Sequence, residues 1–292
     1  TINKSSDYFN TVLYTGNSST QNVDVGFASD WQWIKSRTTS QSHTIYDNVR
    51  GQFKVINSNL TSAEATENGG FTGMSGNNMQ FNGSNGVRGD TNHNGTNYVA
   101  WNWKANGAGS ANSDGATAST VSVNTTAGFS IVKYTGAGST TYGHGLGTTP
   151  QMIIIKKLNS SDDWFVYHHS VITASASNKF FMRLNNTNAL ESNGSAYTFT
   201  SVSNTTFGVG NDDKISESGD SFIAYCFAEK RGYSKFGSYT GNQSANGTFI
   251  YTGFKPAFVL SKDTTGAGEN WFIHDNKRNS FNPTNTYLRP NL

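Results

Sequence analysis

The sequence predicts an all-β protein made of tandem β-sandwich repeats, of jelly-roll or lectin-like type, with almost no helix. Short runs of β-branched and aromatic residues, bounded by Gly, Asn, Ser or Asp, recur along the 292 residues, as expected of strands. Asn-Gly pairs between these runs suit tight hairpin turns. Aromatic residues make up 13% and charged residues only 14%, so strand and sandwich formation is favoured over long charged helices.

Internal repetition organises the chain. A Tyr-Thr-Gly triplet opens each of three similar segments, and the triplets begin at Tyr14, Tyr134 and Tyr239. An apolar stretch follows each triplet and closes on a lysine; these lysines are Lys35, Lys156 and Lys262. The residue six positions before the lysine is Ser29 in the first segment and proline in the other two. The shared spacing predicts one strand arrangement used three times.

A second pattern follows only the first two segments. Residues 96–105 (TNYVAWNWKA) match residues 220–229 (DSFIAYCFAE), and a Gly-containing turn precedes both. Each full repeat therefore has a front half and a back half. Both back-half strands are apolar on both faces, apart from Asn102, which is typical of central strands covered on both sides and predicts that Trp101, Tyr225 and Cys226 are buried.

The repeats set the expected domain boundaries. We expect a first sandwich over residues 1–107, a linker over 108–124, a second sandwich over 125–232 and the front half of a third repeat over 233–292. The linker follows from its Gly, Ser and Asn content. A half-repeat leaves one sheet face and one strand edge without a partner. We expect the missing half to lie in a longer chain. A neighbouring subunit that supplies it, or docking of the half-repeat on the second repeat, are the alternatives.

Charge, cysteine content and hydropathy exclude several classes. The formal net charge is +2, which gives no electrostatic reason for nucleic-acid binding. The single cysteine, Cys226, excludes an intrachain disulfide. The densest apolar run, residues 152–155, has the length of a strand and is far shorter than the roughly 18 residues that span a bilayer. We therefore expect no membrane insertion.

The repeated motifs resemble a known domain. The Tyr-Thr-Gly strand, the G-[FL]-x-P-x-h-h-h-h-K run, the W-h-h-h-D-x-x-R segment and the two back-half strands are similar to a repeat domain of unknown function in structural proteins of marine bacteriophages. That domain is associated with tail fibres and host-attachment proteins, and the resemblance covers nearly the whole chain. It implies a virion setting and no catalytic residues. The second segment departs from the pattern, with His168 and Val171 in place of aspartate and arginine.

Two tryptophan pairs are candidate glycan contacts. Trp31 and Trp33 are two residues apart, as are Trp101 and Trp103, so on a strand each pair shares one face. Two rings on one face could stack on sugars. Apolar residues occupy the matching positions of the second repeat, and burial in the core is therefore the favoured alternative.

One loop partly matches a calcium-binding motif. Residues 90–95 (DTNHNG) fit D-x-[DN]-x-[DN]-G, with Asp90, Asn92 and Asn94 as candidate ligands. The twelfth position is Trp101 instead of the bidentate glutamate. A hairpin turn without metal is therefore favoured, calcium is the only cation that the loop suggests, and no other cofactor is expected.

No catalytic motif is evident. The sequence contains no Gly-x-Ser-x-Gly elbow, HExxH helix, P-loop or Rossmann fingerprint, and we predict that the protein is not an enzyme. Asp47 with Arg50, and Asp275 with Arg278, repeat in the first and third segments. Their spacing is suited to structural ion pairs that hold a turn.

These observations and the resemblance together predict a virion structural protein of the tail-fibre or appendage type, which mediates host attachment through multivalent repeats. The expected partners are copies of the same chain, with a trimer favoured, other virion proteins, and a glycan or protein of the host surface. A capsid-decorating fibre or spacer without its own ligand is the first alternative. A glycan-degrading tailspike enzyme is the second, and it would need a cleft with paired carboxylates.

Overall fold

A computed structural model describes residues 2–83, 86, 89–194, 196, 198–281 and 284–292. Its regular structure consists of antiparallel sheets, apart from a short 3-10 turn at Ser5–Asp7. The predicted all-β, sandwich-type class is confirmed. No helix in the described part of the chain has the length and apolar character that crossing a membrane requires.

The first repeat contains a four-stranded sheet faced by a three-stranded one. In spatial order, the larger sheet consists of β1 (Phe9–Thr15), β9 (Asn97–Trp103), β3 (Trp31–Ser36) and β4 (Thr44–Asp47). The smaller consists of β2 (Gln21–Asp24), β8 (Asn78–Asn82) and β7 (Gly70–Ser75), and a separate two-stranded piece consists of β5 (Lys54–Val55) and β6 (Ala65–Thr66). Aromatic and aliphatic side chains of both sheets, including Ile34, Phe71, Phe81 and Tyr98, form the core between them.

The second repeat is larger but has the same plan. Its eight-stranded sheet has the order β10 (Ser110–Asn112), β11 (Ser119–Asn124), β12 (Phe129–Thr135), β20 (Ser221–Phe227), β14 (Met152–Lys157), β15 (Trp164–His168), β16 (Phe180–Arg183) and β17 (Glu191–Ser192). Its three-stranded sheet has the order β13 (Thr140–Gly143), β19 (Thr206–Val209) and β18 (Phe199–Val202).

The two complete repeats share strand order and register. The back-half strand is central in both: β9 lies between β1 and β3, and β20 lies between β12 and β14. Trp101 pairs with Trp33 in the first repeat, and Tyr225 pairs with Ile154 at the matching position of the second. Trp101, Tyr225 and Cys226 are fully buried, which confirms the expectation for central strands. The repeated sequence thus specifies a repeated sheet.

The segment predicted as a linker is instead part of the second repeat's sheet. Strands β10 and β11 lie within residues 108–124, and β11 pairs along its full length with β12. The prediction from composition was wrong because Val121 and Val123 alternate with polar residues. This alternation places Val121 in the core while the polar neighbours face away.

The third segment forms a single hairpin of β21 (Phe258–Lys262) and β22 (Trp271–Asp275). The hairpin docks on both complete repeats and has no core of its own among the described residues. Trp271 and Ile273 are buried in the same cluster as residues of the first and second repeats. Docking is therefore observed, although it involves both repeats and not the second one alone.

The three repeats contact one another in a cycle. Trp164 of the second donates its indole N–H to the Asn57 carbonyl of the first repeat, at 2.9 Å. Trp271 of the third donates to the Arg183 carbonyl of the second, at 2.8 Å. Ser58 of the first repeat donates its hydroxyl to the Pro290 carbonyl of the third segment, at 2.6 Å. The three repeats therefore form one interlocked body.

Candidate functional site

The Tyr-Thr-Gly triplet of the first repeat holds the loop that leads into its back-half strand. The Tyr14 hydroxyl donates to the Thr91 carbonyl at 2.7 Å. The Gly16 N–H donates to the Thr96 carbonyl at 2.9 Å, and the Gly16 carbonyl accepts from the Gly95 N–H at 3.0 Å. We call this triplet, with the three hydrogen bonds it makes to a back-half loop, the Tyr-Thr-Gly clamp.

The second repeat contains the same clamp. The Tyr134 hydroxyl donates to the Ile215 carbonyl at 2.8 Å. The Gly136 N–H donates to the Asp220 carbonyl at 2.8 Å, and the Gly136 carbonyl accepts from the Gly219 N–H at 3.0 Å. Burial raises the pKa of both clamp tyrosines, Tyr14 and Tyr134, well above the ordinary value. Each hydroxyl therefore remains a neutral donor.

The clamp requires glycine because the loop backbone lies directly on it. A Cβ at Gly16 would be 2.3 Å from the His93 carbonyl oxygen, and a Cβ at Gly136 would be 2.0 Å from the Glu217 carbonyl oxygen. Both distances are far inside van der Waals contact. Glycine is thus required at the third position of the triplet because the back-half loop packs directly against it.

In the third repeat the clamp is open. Gly241, the equivalent of Gly16 and Gly136, has no atom within 4 Å of the position that a Cβ would take. Tyr239 is exposed, and the stretch that follows exposes Phe249 to 87% and Tyr251 to 78%. The triplet is present in the third segment, but the strand that carries it in the complete repeats is not formed in the described stretch between β20 and β21.

Strand β21 also has an open edge. It pairs with β22, and no other strand in the described ranges lies beside it. The Asn276 N–H donates to the Ala257 carbonyl at 3.0 Å, which in an antiparallel pair directs the backbone groups of Val259 and Ser261 toward β22. Those of Phe258, Leu260 and Lys262 therefore point to the open edge. The open clamp and this edge are equivalent to the two places that hold the back half in the complete repeats, and they are the candidate interaction sites of the third segment.

Buried carboxylates lock neighbouring repeats together. Asp47 accepts from the Tyr225 hydroxyl at 2.7 Å and is paired with the Arg50 guanidinium. Asp275 accepts from the Trp101 indole N–H at 3.0 Å and is paired with Arg278 at 2.6 Å. The two Asp–Arg pairs predicted from spacing are confirmed. Each also reaches the back-half strand of another repeat, a role that sequence reasoning missed.

The second repeat replaces this lock with a histidine. His168 occupies the position of the two aspartates, and its ring centroid lies 6.3 Å from that of Phe236 in the third segment. Burial, and next the charge of His169, lower the pKa of His168 to about 4. The ring is therefore neutral at physiological pH. The two aspartates at this position each accept a hydrogen bond from a back-half strand, from Tyr225 or from Trp101.

The tryptophans proposed as glycan contacts lie in the core. Trp31, Trp33, Trp101 and Trp103 are all buried. Trp31 packs on Tyr225 of the second repeat with ring centroids 4.6 Å apart. The platform interpretation was wrong because the sheet face carrying these rings meets the next repeat and is not available to a sugar. The apolar residues at the matching positions had favoured this outcome.

The loop proposed for calcium is a structural junction. The Asn92 amide N–H₂ group donates to the Ser19 and Gly83 carbonyls, and its oxygen accepts from the Asn17 N–H. Asp90 accepts from the Asn92 N–H and lies 3.3 Å from the His93 ring, while the Asn94 N–H is bonded to Ser18. Across the described residues no group of three or more His, Cys, Asp or Glu side chains could hold a metal ion. Asn92 is therefore engaged in hydrogen bonds that hold the turn together, and calcium binding by Asp90, Asn92 and Asn94 stays an untested alternative.

Comparison with known proteins identifies a family and no characterised relative. A family model described as a domain of unknown function (DUF7483) matches residues 4–292. No curated protein and no solved structure matches. The predicted resemblance is confirmed at the level of a domain of unknown function, and the family description names neither a virus nor an attachment role.

Proposed function

The chain belongs to the DUF7483 family, and we propose that it is a structural module of a bacteriophage particle, of the tail-fibre or appendage type, that helps attach the particle to its host. The observation that carries this proposal is the interlocking of the repeats. Buried hydrogen bonds link residues as far apart as Tyr225 and Asp47, or Trp101 and Asp275. Such contacts make a rigid body of successive repeats, which suits a fibre or appendage.

The surface chemistry supports attachment as the role of this body. Only 14% of the residues are charged, and the loops between strands are rich in amide and hydroxyl groups, which can hydrogen-bond to glycans. Weak contacts of this kind gain from repetition, because multivalency raises overall affinity by roughly 10² to 10⁴. The proposed partners are copies of the chain in a trimer, other virion proteins, and a host-surface glycan or protein.

The test compares the purified protein with the same protein fused to a trimer-forming coiled coil. Binding of both to cells of a bacterial host panel is measured by flow cytometry. We expect the trimeric form to bind susceptible hosts at least 100-fold more tightly than the monomer. The coiled coil alone is the control. Absence of binding by the trimeric form to every host would contradict an attachment role.

Immuno-electron microscopy of virus particles then locates the protein. Antibody labelling on tail fibres or appendages is expected. Labelling spread over the capsid surface would support the decorating or spacer role instead. Labelling of neither structure would refute a place in the virion.

A further inference from the structure

We propose that the third repeat is a receptor for a loop-and-strand segment contributed by a partner polypeptide, one that resembles residues 90–105 and 214–229. The segment would close the open clamp and add as an antiparallel strand to β21. The inference rests on the proposed structural role, since it names the contact by which this module joins the next component. Its evidence is the difference between the third repeat and the two complete ones.

The clamp specifies a loop. In the two closed clamps a backbone oxygen of the loop lies 2.0–2.3 Å from the position that a Cβ on the glycine would take. At Gly241 no atom lies within 4 Å of that position. The exposed Tyr239 hydroxyl corresponds to the two that each donate to a loop carbonyl. The occupant therefore needs a turn containing glycine, like Gly95 and Gly219, whose N–H groups reach the clamp carbonyl in the complete repeats.

The edge of β21 specifies a strand. In the complete repeats the residue equivalent to Phe258 faces Trp103 or Phe227, and the residue equivalent to Leu260 faces Trp101 or Tyr225. The position equivalent to Ser261 faces alanine in both. The occupant is thus an extended segment with two aromatic residues, two positions apart, and an alanine just before the first.

The first residues of the three equivalent strands β3, β14 and β21 can be compared by the neighbours on which they pack. Trp31 packs on Phe129, Tyr225 and Phe227 of the second repeat. Phe258, its equivalent in the third, packs in the same way on a second set of rings. That set is Phe9, Trp101 and Trp103 of the first repeat.

Met152 is the remaining equivalent, on the second repeat. Met152 is already buried in the shared core. The first aromatic of the incoming strand would lie beside His168, as Tyr225 and Trp101 lie beside the aspartates at that position. That strand would add a third contact of this kind between repeats.

The experiment adds a synthetic peptide of residues 90–105, DTNHNGTNYVAWNWKA, to the whole protein. Hydrogen exchange is followed by NMR, and affinity by calorimetry. We expect protection of at least tenfold at the amides of Phe258, Leu260 and Lys262, with no comparable change at Val259 and Ser261. A control peptide carrying W101K and W103K should bind at least tenfold more weakly.

A protein variant separates the clamp from general hydrophobic adhesion. Gly241→Ala adds a methyl group to the open clamp, where nothing lies within 4 Å, so the free protein should keep its stability. The same methyl should clash with a bound loop and weaken the peptide at least tenfold. Gly247→Ala is the matched control, since Gly247 is also exposed and also has no atom within 4 Å.

Four outcomes would overturn the inference. The first is unchanged exchange of Phe258, Leu260 and Lys262 at millimolar peptide. The second is equal affinity for the Gly241→Ala and Gly247→Ala proteins. The third is a dimer by sedimentation that already protects the β21 edge, which would identify a second copy as the occupant. The fourth is a native chain, by intact mass, whose additional residues fill the site. The cell-binding experiment tests the attachment role without the peptide, and the peptide experiment tests the third repeat without cells. Either proposal can therefore fail while the other stands.

Discussion

At the scale of single residues, buried polar side chains hold the repeats together through hydrogen bonds and ion pairs. Asp47 accepts from Tyr225, from the backbone N–H groups of Val49 and Arg50, and from the Arg50 side chain. The Asp47 and Arg50 side chains are both fully buried. A charge in such a place is stabilised by its partner, and removing one member leaves the other without compensation.

We expect Asp47→Ala to lower the free energy of unfolding by about 3 kcal/mol, the low end for a broken buried pair, because the buried Arg50 guanidinium loses Asp47 but keeps Glu64 at 3.3 Å. Tyr225→Phe, which removes one hydrogen bond to the same carboxylate, should cost about 1.5–3 kcal/mol. Urea denaturation followed by tryptophan fluorescence measures both. Equal stability of Asp47→Ala and the unmodified protein would show that the ion pair contributes nothing.

His168 should make stability depend on pH. Its pKa is lowered from 6.5 to about 4 in the folded protein, so between these values the unfolded chain binds more protons than the folded one. Stability should be highest above pH 6.5 and fall as the pH drops from 6.5 through 4. The contribution of His168 to this fall is at most about 3 kcal/mol.

The check is the free energy of unfolding of His168→Gln and of the unmodified protein between pH 4 and 7.5. The advantage of the unmodified protein over the variant should shrink as the pH falls through this window. Parallel curves across the whole range would exclude His168 as a source of acid sensitivity.

At the scale of elements, the same triplet has different structural consequences in different repeats. Gly16 and Gly136 lie against the backbone of a back-half loop, whereas Gly241 has free space around it. Strand β21 likewise repeats the register of β3 and β14 toward its hairpin partner, but lacks a neighbour at its other edge within the described chain. The third segment therefore keeps the residues that contact a back half in the complete repeats, although it does not make that contact itself.

Gly136→Ala should destabilise the protein by about 3 kcal/mol, because its Cβ would be 2.0 Å from the Glu217 carbonyl oxygen. Gly241→Ala should change stability by less than about 0.5 kcal/mol, as is usual for exposed sites. Thermal unfolding of the two variants makes the comparison. Similar losses of stability in both would mean that triplet glycines matter for a reason other than loop contact.

At the scale of the whole molecule, stability comes from contacts between repeats as well as within them. The hairpin of β21 and β22 has a core only through its neighbours: Phe258 packs on Phe9 and Trp103, and Trp271 is bonded to the Arg183 carbonyl. The third segment should therefore depend on the integrity of the first two repeats.

Trp101→Phe should loosen the third segment selectively. It removes the indole N–H that donates to Asp275, a bond to a charged group worth about 1.5–3 kcal/mol. We expect amide exchange to accelerate in β21 and β22 more than in β13, β18 and β19, which lie on the far repeat. A uniform acceleration throughout the chain would show that the lock has no local effect.

Much of the fold could be predicted from residue patterns. Alternation specified the strands, and the repeated motifs correctly predicted equivalent sheets with buried central strands at Trp101 and Tyr225. The three-residue spacing of Asp and Arg correctly predicted two ion pairs. These features are local or periodic, so the information lies within a few residues of each position. Alternation also outweighed composition in 108–124, where the linker prediction was wrong.

The candidate site depended on the tertiary structure. Only the packing of repeats shows that the tryptophan faces are covered, that Asn92 is committed to backbone groups, and that the third clamp is open. Two contacts between repeats, Trp101 with Asp275 and Tyr225 with Asp47, join residues 174 and 178 positions apart. The donor is tryptophan in one and tyrosine in the other, although the two positions are equivalent. No local pattern encodes such a pairing, because it depends on how whole sheets meet. The sequence by itself thus determined the repeated β-unit, and tertiary packing decided which surfaces of that unit remain free.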